Sequence, residues 1–133
     1  MNKTFKFVCQ YGVLKKNIFG KYTNKLKSVI DVKTVLHFDN QYLEVFLYGI
    51  DRNNGVGITN EYYTLYYKNI KKIVYDEPTS TITIEELEGD INITTGEELE
   101  PTTINFIVDK NFLNDINIVF EELGKSGYFS LIR

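Results

Sequence analysis

The sequence of 133 residues predicts an α+β fold, a mostly antiparallel β-barrel or bent sheet capped by one C-terminal α-helix at about residues 110–124. Two patterns indicate this class. Apolar residues recur at every second position through most of residues 34–108, which is the period of strands, and a helical period appears only after residue 109. With 43% apolar residues and a formal charge of −3, the composition is that of a globular chain rather than a disordered one.

The first 33 residues form a basic, strand-rich segment ahead of a core at residues 34–127, and we interpret residues 1–133 as a single domain. An alternating strand is indicated by Phe5, Phe7, Cys9 and Tyr11. Gly12 and Gly20 divide the rest of this segment into short pieces, which suit either further strands or an arm.

Turn residues divide the next part of the chain into strands. Asp39 and Asn40 tolerate a left-handed backbone, so they predict a hairpin turn between two strands. Three residues of the second strand share one face: Leu43, Val45 and Leu47. Gly55 supplies the positive φ that a following turn requires, and residues 62–67 then form an aromatic strand.

Two further alternating stretches lie at residues 81–85 and 91–94. Gly89 and Asp90 stand between them, so we expect these two stretches to form a hairpin. Residues 103–108 supply one more strand.

The period of the apolar residues changes after residue 109. A broad helical stripe is formed by Phe112, Leu113, Ile116, Val119, Phe120 and Leu123. Asp109 or Asn111 is expected to cap the start of this helix and Gly124 its end. The stripe indicates a helix that covers a sheet.

Four features follow one another over about two thirds of the chain: a leading hairpin at residues 35–45, a strand running into Lys68-Asn-Ile-Lys-Lys-Ile-Val-Tyr, later strands, and the capping helix. This order resembles the pleckstrin-homology-like (PH-like) superfold in its short GRAM-like or bacterial form, with Ile70 and Ile73 matching the family's pair of apolar anchors. The resemblance implies a binding platform for lipids or protein segments and rarely an enzyme.

Residue types that carry catalysis or bind metals are scarce. His37 is the only histidine and alternates with apolar neighbours, so we interpret it as a residue of the sheet surface. Cys9 is the only cysteine, which favours a buried thiol and a reducing, cytoplasmic setting. Gly55 and Gly57 lack the lysine and helix of a phosphate loop. We therefore expect no enzymatic activity, no cofactor and no metal site.

Charge is segregated along the chain. Residues 1–33 hold eight lysines and one acid, a formal charge of +7. Five of these lysines are candidate anion-binding residues: Lys15, Lys16, Lys21, Lys25 and Lys27. Interleaved with Phe19 and Tyr22, they suit an anionic lipid surface or nucleic-acid phosphates, and the competing interpretation is a solvated strand edge that discourages aggregation. Direct nucleic-acid or membrane binding is the less well supported function.

Residues 76–100 hold nine acids and no lysine or arginine, a formal charge of −9. The candidate partner-binding acids are Glu85, Glu86, Glu88, Asp90, Glu97, Glu98 and Glu100. Carboxylates spaced along a hairpin imitate nucleic-acid phosphates, because both offer negative charge to the same basic groove. The competing interpretation is a pair of solvated acidic loops.

The third feature of the sequence, after the basic and the acidic segments, is its ten tyrosines. Four of them lie within residues 62–67. Alternation places Tyr62 and Tyr66 on one face of their strand and Tyr63 and Tyr67 on the other. Exposed tyrosines are typical of interfaces, whereas packed ones are typical of a half-solvated sheet. Both interpretations stand.

The sequence thus favours a non-enzymatic protein-binding module that acts through Tyr62, Tyr66 and the acidic loops. The alternative is a small acidic inhibitor, of the phage or mobile-element type, that blocks the nucleic-acid groove of a host defence nuclease. A third possibility is a peripheral PH-like domain that binds anionic lipids. The expected partner is another protein, with basic nucleic-acid-binding proteins as one class, and the tyrosines also suit a homodimer.

Overall fold

A computed structural model describes residues 2–132, with the side chains of all of these except residues 12–16, 22 and 24–28. A 3₁₀ turn at Tyr67–Asn69 joins its two halves. The regular elements are β1 (Lys3–Lys16), β2 (Tyr22–Phe38), β3 (Tyr42–Asp51), β4 (Gly57–Tyr66), β5 (Ile70–Asp76), β6 (Thr81–Glu86), β7 (Thr103–Ile107), α1 (Leu113–Lys125) and β8 (Ser130–Ile132).

The strands form two four-stranded sheets. The first has the order β1-β2-β3-β4 and is antiparallel throughout. The second has the order β7-β6-β5-β8, in which β8 pairs with β5 in parallel and the other ladders are antiparallel. Within residues 2–132 the sheets do not close into one barrel, so the α+β class is confirmed in its bent-sheet form with a C-terminal helix.

The core lies between the two sheets and under the helix. Because each strand alternates, one face of each sheet contributes apolar side chains to this space. Together the elements bury one continuous cluster that includes Leu36, Phe38, Leu43, Val45, Ile73, Ile84, Phe106 and Phe120. The predicted anchors Ile70 and Ile73 are 1% and 0% exposed.

Helix α1 packs its apolar stripe into this core. The ring of Phe120 meets Phe38 edge to face at a centroid distance of 5.4 Å, and Phe112 stacks on Phe7 at 5.8 Å. The helix begins at Leu113 rather than near residue 110, because the Asp109 carboxylate and carbonyl bind the N–H groups of Asn111 and Phe112 in a turn. Neither Asp109 nor Asn111 is the N-cap residue.

The C-terminal end of α1 also differs from the prediction. The helix continues through Gly124 to Lys125. The left-handed position that favours glycine is occupied by Gly127, whose φ is +84°.

The predicted hairpin around Gly89 and Asp90 is wrong. Strand β6 pairs instead with β7, and residues 87–102 form a long loop between them. Ile91 and Ile93, whose alternation suggested a strand, are 63% and 100% exposed. These residues alternate, but no core lies beside them to cover one face, so they do not form a strand ladder.

The N-terminal segment adds strands to the first sheet. Strand β2 continues across residue 33, so the basic segment and the following core share one strand. Its pairing with β3 begins only at Ile30, and the part of the β1–β2 hairpin before that residue extends beyond the sheet. No helix of residues 2–132 has the length and apolar character needed to cross a membrane.

Candidate protein-binding surfaces

The outer face of the first sheet carries a group of aromatic rings. Leu43, Val45 and Leu47 of β3 point into the core, so the residues between them point outward. The same alternation applies to β4, where Leu65 is 2% exposed. The resulting aromatic face consists of Tyr42, Phe46, Tyr48, Tyr62 and Tyr66.

Strand register brings these rings together. Tyr42 lies opposite Tyr66, with a ring centroid distance of 5.8 Å, and Phe46 lies opposite Tyr62. Phe46 and Tyr48 stack along β3 at 6.5 Å with an interplanar angle of 15°. The face is therefore a continuous patch rather than a set of separate rings.

Two rings of the aromatic face are strongly exposed. Tyr62 is 58% and Tyr66 is 48% exposed, whereas Tyr63 is half-buried and Tyr67 is 1% exposed. The predicted orientation of these four tyrosines is the one observed. Sequence reasoning missed the rings of β3. The alternation of Leu43, Val45 and Leu47 indicates that these rings point outward, but it does not indicate that they lie beside β4.

Hydroxyl groups on the aromatic face interact with nearby carboxylates. The Tyr62 hydroxyl donates to the Glu44 carboxylate across the β3–β4 ladder. A hydrogen bond with Asp39 raises the pKa of Tyr42 above its ordinary value. The backbone N–H of Asn40, 2.7 Å from the Asp39 carboxylate, is the largest cause that lowers the pKa of Asp39. These bonds orient rings that remain accessible to solvent.

The charges on this side of the sheet are mixed. Register places Lys6 and Lys33 on the same outer face as Asp31 and Glu44. The Arg52 guanidinium lies 3.4 Å from the Asp31 carboxylate. Among the described side chains of this face the two signs balance, whereas a phosphate backbone requires an excess of positive charge.

His37 also lies on the outer face of the first sheet. Its Nδ1 is 2.8 Å from the Thr4 hydroxyl, and its Nε2 is 3.8 Å from the Asp39 carboxylate. His37 thus lies between a threonine hydroxyl and a carboxylate on the sheet surface, with its side chain 28% exposed.

The second surface is the acidic loop, residues 87–102. It contains a small hairpin, in which Ile91 and Glu98 form an isolated bridge and Leu99 N–H donates to Asp90 C=O at 2.7 Å. The Asn92 side chain accepts the N–H of Thr94 at 3.0 Å and thereby closes the tip. A hairpin thus exists here, but it spans residues 90–99 and not the stretches that the sequence indicated.

Asn69 closes the base of the acidic loop. Its Nδ2 donates to the Glu86 carboxylate at 3.0 Å and to the Glu88 carbonyl at 2.9 Å, and its Oδ1 accepts the Glu88 N–H at 3.1 Å. Gly89 passes so close to the opposite arm that an added Cβ would lie 1.9 Å from the Leu99 carbonyl oxygen. The residue type at position 89 is therefore dictated by a close approach of two backbone segments.

The predicted acids divide into two groups. Glu85 lies 3.6 Å from Lys72, and Glu86 is half-buried beside Asn69, where burial and the Asp90 charge raise its pKa. The exposed acids of the loop make no ion pair with the cations whose side chains are described: Glu88, Asp90, Glu97, Glu98 and Glu100. Apolar residues are exposed beside them: Leu87, Ile91, Ile93 and Leu99.

The candidate anion-binding lysines are only partly described. Lys21 is exposed in the turn between β1 and β2, whereas the side chains of Lys15, Lys16, Lys25 and Lys27 lie outside the described residues. The same turn exposes Ile18 at 93% and Phe19 at 80%. Its backbone is ordered by Asn17, whose side chain accepts the N–H groups of Phe19 and Lys21.

Catalytic features are weak among the described residues. Burial raises the pKa of the Cys9 thiol, which donates to the Ile107 carbonyl at 3.6 Å, so its nucleophilic thiolate form is disfavoured. Within residues 2–132 no three His, Cys, Asp or Glu side chains are grouped to hold a metal ion. A cleft of about 510 Å³ between the β5–β6 turn and the start of α1 is lined by residues that include Asp76, Glu77 and Lys110.

Comparison of the chain with protein-family models, with curated proteins and with solved structures finds no match. The geometry of the aromatic face and of the acidic loop is therefore the basis for assigning a function.

Proposed function

We propose that this chain is a non-enzymatic protein-binding module whose main binding surface is the aromatic face. One observation carries this function: two tyrosines, 58% and 48% exposed, stand among three further rings on a sheet face that solvent can reach. Tyrosine offers a large contact area, a hydroxyl for hydrogen bonds and little side-chain entropy to lose, so such rings dominate binding energy in interfaces.

The outer face of the second sheet provides an internal reference. Its outward residues include the aliphatic Val74, Ile107 and Ile132 but no aromatic ring. The others are mainly polar: Lys72, Thr81, Thr83, Glu85, Thr103 and Asn105. The second sheet therefore forms without outward aromatic residues. This contrast supports a role in binding for the rings of the first sheet.

The mixed charge of the aromatic face favours a protein partner over a nucleic acid. Lys6 and Lys33 share this side of the sheet with Asp31 and Glu44. Protein interfaces are typically rich in aromatic residues with a polar, mixed rim. We also retain the PH-like assignment and the cytoplasmic location as proposals.

The test is capture of partners from a lysate of the source cells at low and high salt, followed by mass spectrometry. We expect one partner to remain bound to the wild-type protein at high salt, because apolar contact is not screened. The double variant Tyr62→Ser, Tyr66→Ser should lose this partner while its melting temperature stays nearly unchanged.

The matched control is the double variant Thr83→Ser, Asn105→Ser on the outer face of the second sheet, which should still capture the partner. Equal capture by the wild type and by the tyrosine variant would contradict the proposed surface. A large loss of melting temperature in the tyrosine variant would show that the rings serve packing instead.

The acidic loop supports a second candidate function, the blocking of a cationic groove on a nucleic-acid-binding enzyme. Five exposed carboxylates without a described cation partner lie on one loop, together with Ile93, which is fully exposed. Carboxylates of this kind compete with nucleic acid for the same cations. A partner that is lost at high salt and lost again in the triple variant Glu97→Gln, Glu98→Gln, Glu100→Gln would favour this function.

A further inference from the structure

The far part of the β1–β2 hairpin projects beyond the first sheet. Strand β3 pairs with β2 only from Ile30 onward, and residues 12–29 lie beyond that point. We call residues 12–29 the basic hairpin, because they contain no acid and five lysines: Lys15, Lys16, Lys21, Lys25 and Lys27. The turn at its tip exposes Ile18 at 93% and Phe19 at 80%. Two exposed apolar side chains therefore lie at the end of a segment with a formal charge of +5.

The acidic loop is the counterpart of the basic hairpin in charge and in apolar exposure. Residues 87–102 hold five acids and no lysine or arginine, a formal charge of −5. Ile93 is 100% and Ile91 is 63% exposed on this loop. Each of the two surfaces therefore offers the charge that the other lacks, together with exposed apolar area.

The two surfaces lie at opposite ends of the first sheet. Leu87 N–H donates to the Asn69 carbonyl at 2.7 Å, and Tyr67 N–H donates to the Gln41 carbonyl at 3.0 Å. The base of the acidic loop therefore adjoins the turn between β2 and β3. The tip of the basic hairpin lies beyond the other end of β2, a strand of 17 residues and thus about 50 Å long.

The acidic loop is too short to cover the basic tip of its own chain. Its small hairpin, residues 90–99, has arms of about five residues, which reach roughly 17 Å. Within a single chain both surfaces therefore keep their charge and their exposed apolar residues.

We propose that the basic hairpin of one copy of this chain docks on the acidic loop of a second copy. Charge favours this occupant, because five lysines on one surface match five carboxylates on the other. The apolar residues favour it as well, since Ile18 and Phe19 can be covered by Ile91 and Ile93. A nucleic acid or an anionic bilayer would engage only the basic hairpin, whereas a second copy engages both surfaces through one type of contact.

This contact joins two different surfaces, so it is heterologous, and repeating it produces open chains or a closed ring of copies. It uses no residue of the aromatic face and is therefore separate from the partner-binding function assigned to that face. Pairs of exposed lysines and carboxylates are screened by salt, so association should weaken as the ionic strength rises.

The first measurement is sedimentation velocity of the full chain over a concentration series at two salt concentrations. At an ionic strength of about 0.02 M we expect species of two or more copies, which increase with protein concentration, and at about 0.5 M we expect the monomer.

Two variants separate the two surfaces. The tip variant carries Ile18→Ser, Phe19→Ser and Lys21→Gln. The loop variant carries Ile93→Ser, Glu97→Gln and Glu98→Gln. All of the replaced side chains are exposed, so both variants should keep the melting temperature of the wild type.

Each variant alone should be monomeric at low salt, because every contact needs one intact surface of each kind. An equimolar mixture should form a dimer and nothing larger, since the tip variant retains its acidic loop and the loop variant retains its basic hairpin. The control Tyr62→Ser, Tyr66→Ser should assemble like the wild type. Failure of the assembly and failure of the binding function are therefore distinguishable.

A wild type that is monomeric at every concentration at low salt would overturn the proposal. Association that persists in either variant alone, or a mixture that stays monomeric, would place the interface elsewhere and overturn it as well. If a variant does not fold, nuclear magnetic resonance of the wild type decides. Signals of residues 17–21 and 90–99 should then shift together as the concentration rises, and shifts confined to one of these segments would contradict the contact.

Discussion

The aromatic face and the acidic loop are both exposed, but different interactions hold them in place. The aromatic face belongs to strands that pair over their whole length, and the residues between its rings are core residues such as Val45, 0% exposed. The acidic loop is held by one isolated bridge, a few turn bonds and the side chain of Asn69. None of its residues 90–100 is buried.

The two surfaces therefore differ in local stability. The backbone that carries the aromatic face cannot rearrange unless the first sheet unfolds, so the positions of its rings along the sheet are fixed. The acidic loop can open by itself, because local stability follows the number of buried contacts and protected hydrogen bonds. A partner of the aromatic face meets a preformed surface, whereas a partner of the loop selects or shapes its conformation.

The largest loss of stability is expected for Gly89→Ala, which alters the base of the acidic loop. The new Cβ would meet the Leu99 carbonyl oxygen at 1.9 Å, a backbone atom that cannot turn aside, so the base of the loop must open. We expect a loss of about 1–3 kcal/mol in the free energy of unfolding. Limited proteolysis should cut the variant within residues 87–102 much faster than the wild type, while binding through the aromatic face is unchanged.

Asn69→Ala is the companion variant, because it opens the same loop by removing three hydrogen bonds instead of adding a clash. The two variants should show the same cleavage sites. If Gly89→Ala instead weakens binding at the aromatic face as much as it exposes the loop, the two surfaces are coupled and the comparison drawn above is wrong.

The aromatic face was largely accessible to sequence reasoning. Strand alternation depends on local sequence, so the outward direction of Tyr62 and Tyr66 followed from the buried pattern of their own strand. The contributions of Tyr42, Phe46 and Tyr48 required knowing that β3 lies beside β4 in a given register. That pairing depends on contacts distant in sequence, which alternation alone does not specify.

The acidic loop was not accessible in the same way. Ile91 and Ile93 alternate as strand residues do, but no apolar surface lies beside them to stabilise a ladder. The decisive features are the three hydrogen bonds of Asn69 and the close approach of Gly89 to Leu99, which join residues 10 to 20 positions apart. The sequence pattern shows the acids, but it does not show the contacts between distant residues that bring them together in one loop.

A smaller loss of stability is expected for Tyr67→Phe, at the turn that joins the two sheets. The Tyr67 hydroxyl donates to the Asp39 carbonyl at 2.6 Å, and its loss should cost about 1 kcal/mol at neutral pH. Since neither surface contains this hydroxyl, we expect binding to be unchanged. Chemical denaturation measures the stability, and altered binding by a fully folded variant would contradict the separation of the core from the surfaces.

Tyr67 also predicts a dependence of stability on alkaline pH. Burial raises its pKa from 10.0 to about 12, so between these values the folded state keeps a proton that the unfolded chain releases. Stability therefore falls as the pH rises through this window, by about 2–3 kcal/mol in total. The decline should be shallower in Tyr67→Phe, and parallel declines in the two proteins would exclude Tyr67 as the cause.

A still smaller effect on stability is expected for Gly57→Ala, a variant that changes the aromatic face. The added Cβ would lie 2.4 Å from the Tyr48 hydroxyl oxygen, the movable end of a side chain, so the ring should swing outward. We expect a change under about 1 kcal/mol in either direction, since alanine also restricts the unfolded chain.

The readout for Gly57→Ala is the chemical shift of the Tyr48 ring together with partner affinity. The control Gly55→Ala sits in open space at a φ of +67°, so it strains the backbone without displacing a ring. Weaker binding in Gly57→Ala but not in Gly55→Ala would assign Tyr48 to the binding surface. Equal affinities would restrict that surface to Tyr62, Tyr66 and their nearer neighbours.

The smallest effect is expected for Glu86→Gln, at the point where the acidic loop leaves the second sheet. Burial and the Asp90 charge raise the pKa of Glu86 above 4.5, so the ionised carboxylate destabilises the folded state at neutral pH. Glutamine is neutral, and its carbonyl oxygen can still accept the Asn69 amide. We expect a gain of about 0.5 kcal/mol or less at pH 7.

This gain should shrink as the pH falls below the raised pKa of Glu86 towards 4.5, where the wild-type carboxyl takes up its proton in the folded state. Thermal unfolding at pH 7 and pH 4 measures the difference. Glu85→Gln is the control, because it removes an ion pair with Lys72 and should lower stability slightly instead. A loss of stability in Glu86→Gln at pH 7 would contradict this prediction and would mean that the negative charge of Glu86 stabilises the base of the loop.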